Sequence, residues 1–351
     1  MPLTVIVGGQ YGSEGKGKVT SYLALRDNVD IVVRCGGPNS GHTVDVNGHR
    51  HELRSLPSGF INPGTRLLLA AGCLINPEIL LTEIKSTGID PQRVGVDRSA
   101  GIISPSEGEE EGKLRLRDRL GSTLSGTGIG VANRVLRKPE FKLAKDIPEL
   151  QEFLTDVSAE VNAVLDRNGK VLIEGTQGFG LSVYHSSNYP YATSRDTTAG
   201  GFLSETGVSP RLVTDIIMAV RSYPIRVAGN SGPLKDEITW DDVQQKSGCP
   251  HTITELTTTT KKVRRVALFD LEIVRRATSV NRPTQIFLHG ADYLSWRNKS
   301  LRDHKRLTSA TKSFIDGLRL QLGVPVSLIG TGPANEEVID LSRYIVTTTE
   351  Q

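Results

Sequence analysis

Aromatic side chains make up only 5% of this 351-residue chain, methionine and tryptophan occur twice each, and cysteine occurs three times. Cys35, Cys73 and Cys249 are odd in number and far apart, which argues against a disulfide framework. No CxxC pair or neighbouring histidine pair accompanies them, so an ordinary zinc site is not expected either, and they read as reduced structural thiols. Long apolar runs are also missing: the most apolar stretches, such as Leu67 to Ala71, are far too short to span a bilayer. No basic segment followed by an apolar one opens the chain. A soluble cytoplasmic protein is the expectation. The formal net charge of +3 is small for this length and gives no reason to expect a nucleic-acid coat or a polybasic membrane surface. Small anionic ligands remain compatible with it.

What the chain does contain is an alternation. Short β-branched or leucine-rich runs stop at glycine or a polar turn at Thr4 to Val7, Ile31 to Val33, Arg66 to Ala71, Val171 to Ile173, Gln285 to Leu288 and Val326 to Ile329. Each reads as a buried parallel strand. Helical patterns lie between them at Ile75 to Ser86, Ile147 to Leu165, Arg211 to Val220, Leu271 to Thr278 and Ser309 to Leu322. Strands alternating with helices predict an α/β fold with a doubly wound, mostly parallel sheet. No Pro/Ser-rich linker, low-complexity tract or repeat divides the chain, so residues 1–351 are expected to form one domain with long insertions. Ligands in open α/β sheets bind beyond the carboxyl ends of the strands, where Gly8 to Lys18, Cys35 to Thr43, Gly175 to Gly178, His289 to Asp292 and Gly330 to Pro333 should converge.

The first of these segments, Gly8-Gly9-Gln10-Tyr11-Gly12-Ser13-Glu14-Gly15-Lys16-Gly17-Lys18, is a glycine-rich turn opening a helix. Free backbone N–H groups there can cradle phosphate oxygens. Gly12 to Lys18 satisfies G-x-x-x-x-G-K, but Val19 stands where an ordinary P-loop places its Mg²⁺-binding Ser or Thr, so any metal is held differently. A plain strand-to-helix turn would need neither lysine. The second segment, Gly36 to Thr43, carries one titratable side chain, His42, whose ordinary pKa suits proton transfer. A lone histidine is more often structural; beside a phosphate loop the catalytic reading is preferred.

Together these stretches resemble the adenylosuccinate synthetase family. The resemblance continues through Ser125-Gly126-Thr127-Gly128-Ile129-Gly130, Glu174 to Gly178, Tyr189 to Ser194, Thr197 to Gly201 and Thr331-Gly332-Pro333. It implies that Gly12, Ser13, Glu14, Gly15, Lys16, Gly17, Lys18, Gly41, His42 and Thr43 bind a triphosphate, with Arg264, Asp292, Gly330, Gly332 and Pro333 completing the donor site. His42 would be the catalytic acid, and Ser13 and the Gly41 carbonyl would lie near Mg²⁺. The acceptor nucleotide would meet Ser13, Asn39, Ser40, Ser125, Gly126, Gln177, Leu181, Thr193 and Lys262. Arg137 matches an arginine that reaches the neighbouring subunit's acceptor, implying a homodimer. Thr258, Thr259, Thr260, Lys261, Lys262 and Arg264 would hold L-aspartate, although an isolated basic run such as Thr257 to Arg265 would otherwise read as a solvated turn.

Departures from the family pattern carry information too. At position 13 the family has an aspartate that takes the proton from purine N1 and ligates the metal; here it is Ser13. Serine is a poor base near neutral pH, but it is shorter, neutral and leaves room for an exocyclic 2-amino group. Lys262 replaces an arginine that touches the ribose 2′-hydroxyl, which suits a deoxyribose. Both changes point to dGMP and to the phage branch of the family, which makes N6-succino-2-amino-2′-deoxyadenylate for diaminopurine DNA. The family's guanine-reading Lys-x-Asp is reduced here to Asp292 within His289-Gly290-Ala291-Asp292, so ATP or dATP becomes a plausible donor beside GTP. Thr127 stands where an arginine helps hold aspartate. The competing expectations are adenylosuccinate formation from IMP and a catalytically dead nucleotide binder. A switch GTPase is disfavoured by Val19 and the incomplete guanine motif.

Overall fold

The computed structural model describes residues 2–257 and 261–342. A ten-stranded sheet runs through it, in the order Val338–Asp340, Val326–Gly330, Gln285–His289, Asp215–Arg221, Leu3–Gly8, Val171–Glu174, Ile31–Arg34, Arg66–Leu69, Val94–Asp97 and Leu154–Thr155. Neighbours are parallel throughout except at the Val338–Asp340 edge. The predicted mostly parallel α/β sheet is observed. Its strands are continuous apolar runs because helices cover both faces: Val5, Ile6 and Val7 are fully buried, as are Ile217 and Met218 on the neighbouring strand.

All six predicted strands form, most of them one residue longer than the apolar run. Two predicted helices do not survive. Arg211–Val220 is not helical: a short 3₁₀ turn, Pro210–Leu212, leads into the strand Asp215–Arg221. Its β-branched residues are buried between Leu3–Gly8 and Gln285–His289, and a short apolar run carries no period to separate helix from strand. The predicted helix Ile147–Leu165 is broken into a 3₁₀ stretch Pro148–Phe153, the edge strand Leu154–Thr155 and the helix Val157–Asp166. Asp156 restarts the helix by accepting from the Ala159 N–H at 2.9 Å.

Leu3–Gly8 pairs with Val171–Glu174 on one side and Asp215–Arg221 on the other, so the chain leaving Gly8 enters the crevice where strand order diverges. The insertions border that crevice. They include the hairpin His42–Val46 with His49–Leu53, and a three-stranded sheet of Ile225–Arg226, Arg265–Ala267 and Glu237–Ile238. The second has its own apolar cluster around Tyr223, Ile225, Trp240, Val243 and Val266. Among the described residues no helix is long and apolar enough to cross a membrane.

Candidate active site

The glycine-rich loop after the first strand owes its shape to three residues in left-handed conformation: Gly12 (φ 89°), Ser13 (φ 59°) and Gly15 (φ 85°). A side chain at such a φ costs about 1 kcal/mol, so Ser13 is held there by its surroundings. Beneath the loop, the fully buried Glu14 accepts from the Gln10 and Gly12 N–H groups at 3.1 and 2.8 Å and from Lys16 Nζ at 2.6 Å. Lys16 also donates to the Gln177 carbonyl, while Lys18 donates to the carbonyls of Gly332 and Glu337, the latter at 2.9 Å. Burial lowers the Lys18 pKa to about 8. The helix Lys16–Arg26 starts here with no side-chain cap, leaving its first N–H groups available to an anion.

His42 faces this loop so closely that a Cβ on Gly17 would lie 2.9 Å from the His42 Cβ, which explains glycine at that position. Its Nδ1 meets Glu174 Oε1 at 2.5 Å, and Glu174 also accepts from the Ser58 N–H at 2.8 Å. Arg34 stands 3.9 Å from the same carboxylate. Burial, then the Arg34 charge, lowers the His42 pKa to about 4, while the imidazole and Arg34 offset burial and hold Glu174 near 2. The ionised Glu174 can only accept, so Nδ1 carries the imidazole proton and Nε2 is left buried without a partner.

Other orphaned polar atoms surround the same space: Asn39 Oδ1, Thr127 Oγ1 and Thr193 Oγ1. Buried polar atoms without partners are rare, and several bordering one cavity indicate a ligand's hydrogen-bonding surface. The cavity measures about 970 Å³ and is lined by Ser13, Lys16, Lys18, His42, Gln177 and Arg264, among others. At its far end the buried Asp292 lies 4.0 Å from Lys299 Nζ, which approaches the Trp296 ring at 5.8 Å. Gly290 there is left-handed (φ 83°), with Ser222 Oγ 2.8 Å from where a Cβ would be.

The structure brings together most of the predicted site. Gly12, Ser13, Gly15, Lys16, Gly17, Lys18, Asn39, Ser40, Gly41, His42, Thr43, Gln177, Leu181, Thr193, Lys261, Arg264, Asp292, Gly332 and Pro333 all line the cavity. Some predicted residues stand apart. Glu14 lies beneath the loop rather than on the cavity wall, Gly330 is in its strand, and Ser125 lines a smaller neighbouring hollow. Gly126 caps the start of the helix Thr127–Val135, Arg137 follows that helix outside the cavity wall, and Lys262 is exposed and also outside it. Thr258, Thr259 and Thr260 lie outside the described residues.

Sequence reasoning missed Arg34 and gave Glu174 no role, although Glu174 opens one of the segments it singled out. It also missed Arg221, whose Nη1 donates to the Ser13 carbonyl at 3.1 Å and whose guanidinium pairs with Glu255. Tyr293 donates to Glu255 at 2.9 Å. Arg221 thus links the glycine-rich loop, the segment leading to the basic turn and the end of the cavity that holds Tyr293. Burial alone would raise the Glu255 pKa, but the charge and hydrogen bond of Arg221 outweigh it and hold that carboxylate near 2.

Known proteins match both the sequence and the fold. The family model described as adenylosuccinate synthetase matches residues 5–145 and 140–299. A curated adenylosuccinate synthetase of Pyrococcus sp. (strain ST700) is 40% identical over 345 residues, covering 97% of this chain and 98% of its own. That of Methanocaldococcus jannaschii is 41% identical over 352 residues, covering 97% of each. Among solved structures, the cyanophage S-2L succinoaminodeoxyadenylate synthetase (PurZ), bound to dGMP and to dATP as an energy donor, superposes with a TM-score of 0.82. It is 27% identical, over 98% of this chain and 99% of that one. The fully ligated adenylosuccinate synthetase of Plasmodium falciparum shares the fold, with a TM-score of 0.86 at 24% identity over 97% of this chain and 100% of that one.

Proposed function

The chain belongs to the adenylosuccinate synthetase family of carbon–nitrogen ligases, and on that premise we propose that it joins the amine of L-aspartate to C6 of dGMP, driven by a nucleoside triphosphate. The product is N6-succino-2-amino-2′-deoxyadenylate, as in the phage branch of the family. In this reading the γ-phosphoryl group leaves the nucleoside diphosphate for purine O6 as N1 gives up its proton; the aspartate amine then attacks C6, losing a proton, and phosphate leaves as the C6–O6 bond breaks.

Lys16, Lys18 and the loop N–H groups offset charge on the moving phosphoryl group. They are now paired with Glu14 and with carbonyls, so binding exchanges those partners for phosphate oxygens. His42 Nε2, unpartnered and facing the ligand space, is the group placed to hold a proton at O6. Arriving phosphate charge favours the protonated imidazole, against the burial that lowers its pKa in the free protein.

The observation that carries the acceptor assignment is Ser13 on the cavity wall. With no carboxylate at that position, N1 loses its family base while the 2-amino group gains space and a hydroxyl partner. Lys262 in place of an arginine agrees with a missing 2′-hydroxyl. Adenylosuccinate formation from IMP is the second reading, and overall similarity favours it: relatives at 40% identity carry that name, against 27% to the phage protein. Whole-chain identity averages over the scaffold, whereas Ser13 bears on the acceptor base itself.

For the donor, ATP or dATP is proposed before GTP. The family lysine's position is Gly290, where a side chain would meet left-handed backbone and Ser222. The dATP bound to the cyanophage protein supports this. Mg²⁺ fits as an ion carried in by the phosphates: Ser13 and Gly41 offer hard neutral oxygens, and no acid, histidine or cysteine group able to hold a metal alone occurs among the described residues. When bound, it would neutralise charge at the phosphate oxygens. Arg137 lies outside its own cavity wall beside the exposed Val135 and Leu136, which supports a homodimer in which it serves the partner's acceptor. We read residues 1–351 as one catalytic domain of a cytoplasmic enzyme.

Phosphate release is measured with Mg²⁺ and L-aspartate, crossing dGMP, GMP and IMP with ATP, dATP and GTP. Turnover of dGMP above IMP supports this reading, IMP above dGMP selects the second, and silence with every pair overturns both in favour of a nucleotide binder.

A further inference from the structure

Glu109, Glu110 and Glu111 form an acidic run in the helix Pro105–Lys113, yet the fold buries Glu111, at 3% exposure, and leaves the other two exposed. Its carboxylate accepts from the Gly126 N–H at 3.1 Å, the Gly128 N–H at 2.9 Å and the Ser122 hydroxyl at 3.2 Å. These amides form the open end of the nine-residue helix Thr127–Val135, where unsatisfied N–H groups and the helix dipole favour an anion. Thr127, the first residue of that helix, is 2% exposed, and its hydroxyl has no partner. Glu111 and Thr127 both line the main cavity. A carboxylate therefore occupies an anion-favouring position that still has an unused hydroxyl beside it.

Resting on the proposed acceptor site, which includes Ser125 and Gly126, we infer that Glu111 sets acceptor affinity by holding the place of the acceptor's phosphate. In the free enzyme it satisfies the Gly126 and Gly128 amides and keeps the turn from Ser122 to Gly128 in shape. When a phosphate monoester arrives, the carboxylate yields those amides, because two anions cannot share one helix terminus without strong repulsion in a buried site. Measured affinity is then the difference between two anions competing for the same donors. A nucleoside without phosphate leaves Glu111 in place.

The test is equilibrium binding of dGMP, IMP, deoxyguanosine and inosine to full-length wild type, E111Q and E111A, without donor or aspartate. If Glu111 competes, Kd for the monophosphate falls about three- to tenfold in E111Q, with nucleoside binding unchanged. A purely structural cap gives the opposite sign, so a Kd that is unchanged or higher in folded E111Q overturns the inference. A structure of the wild-type protein with dGMP provides a second measurement independent of any variant. Glu111 moved off Gly126 and Gly128 supports the exchange; Glu111 still bonded to both overturns it. If wild type binds neither monophosphate, the acceptor reading falls and this inference with it. If it binds one and E111Q does not tighten, this inference alone fails.

Discussion

The floor of the cavity and its rim are built differently. On the floor, Glu14, Lys16, Arg34, His42 and Glu174 are all buried, and each is bonded to a partner already in place. On the rim, Lys261 pairs with Glu52 at 2.5 Å while its side chain remains 60% exposed, and Arg264 donates to the Leu256 carbonyl at 3.1 Å. Buried charges are tolerable only when fully paired, so the floor is preorganised and unforgiving. Solvated charges on the rim contribute little to folding and are free to change with the substrate. The residues that distinguish this chain from the family pattern fit that division only in part: Lys262 is exposed outside the cavity, while Lys16, Lys18 and His42 are retained below. Ser13, Thr127 and Gly290 do not fit it, being departures on the cavity wall itself.

The largest break in the comparison is expected at His42. H42N should lower kcat about 10²–10⁴-fold with little change in acceptor KM, measured by steady-state phosphate release; a change confined to KM would make the residue a binding group. Next is Ser13: S13D restores the family carboxylate and should raise the IMP-to-dGMP ratio of kcat/KM by at least about tenfold, read from paired substrate titrations. An unchanged ratio would remove Ser13 from acceptor choice.

A smaller effect concerns pH and folding. Because burial lowers the His42 pKa to about 4, the native state binds fewer protons there than the unfolded chain. The stability this contributes is present above the ordinary histidine pKa of about 6.5 and is lost as pH falls towards 4, at up to about 1.4 kcal/mol per pH unit. Unfolding midpoints compared between wild type and H42N across that window should differ in slope, the wild type falling more steeply towards acid. The smallest effect belongs to the rim: K261M should change folding stability by less than about 1 kcal/mol while raising the KM for aspartate. Denaturant titration and aspartate kinetics on the same variant separate the two.

Some of this was legible from local pattern. Val5 to Val7 and Ile31 to Val33 read as buried strands because a parallel strand covered on both faces needs an unbroken apolar run. Gly12, Gly15 and Gly17 marked the glycine-rich loop: the first two have left-handed backbone that disfavours a side chain, and a Cβ on the third would lie 2.9 Å from the His42 Cβ. Ile216 and Ile217 were misread because their run is too short to show a period, and only pairing with Leu3–Gly8 makes it a strand. Glu111 sits in an acidic run that resembles a solvated helix face, and nothing local distinguishes it from Glu110.

By itself, the sequence determined the α/β class, the glycine-rich loop after the first strand, the family and the departure at Ser13, because glycine spacing and apolar period are local properties of the chain. Tertiary structure alone decided which imidazole nitrogen is left without a partner, since Glu174, at the end of a central strand, meets His42 from 132 positions away in the chain. It also decided that Arg221 joins three segments and that one carboxylate of three is buried. Those outcomes depend on which surfaces meet when the sheet assembles and removes charge from water, and no local pattern encodes that meeting.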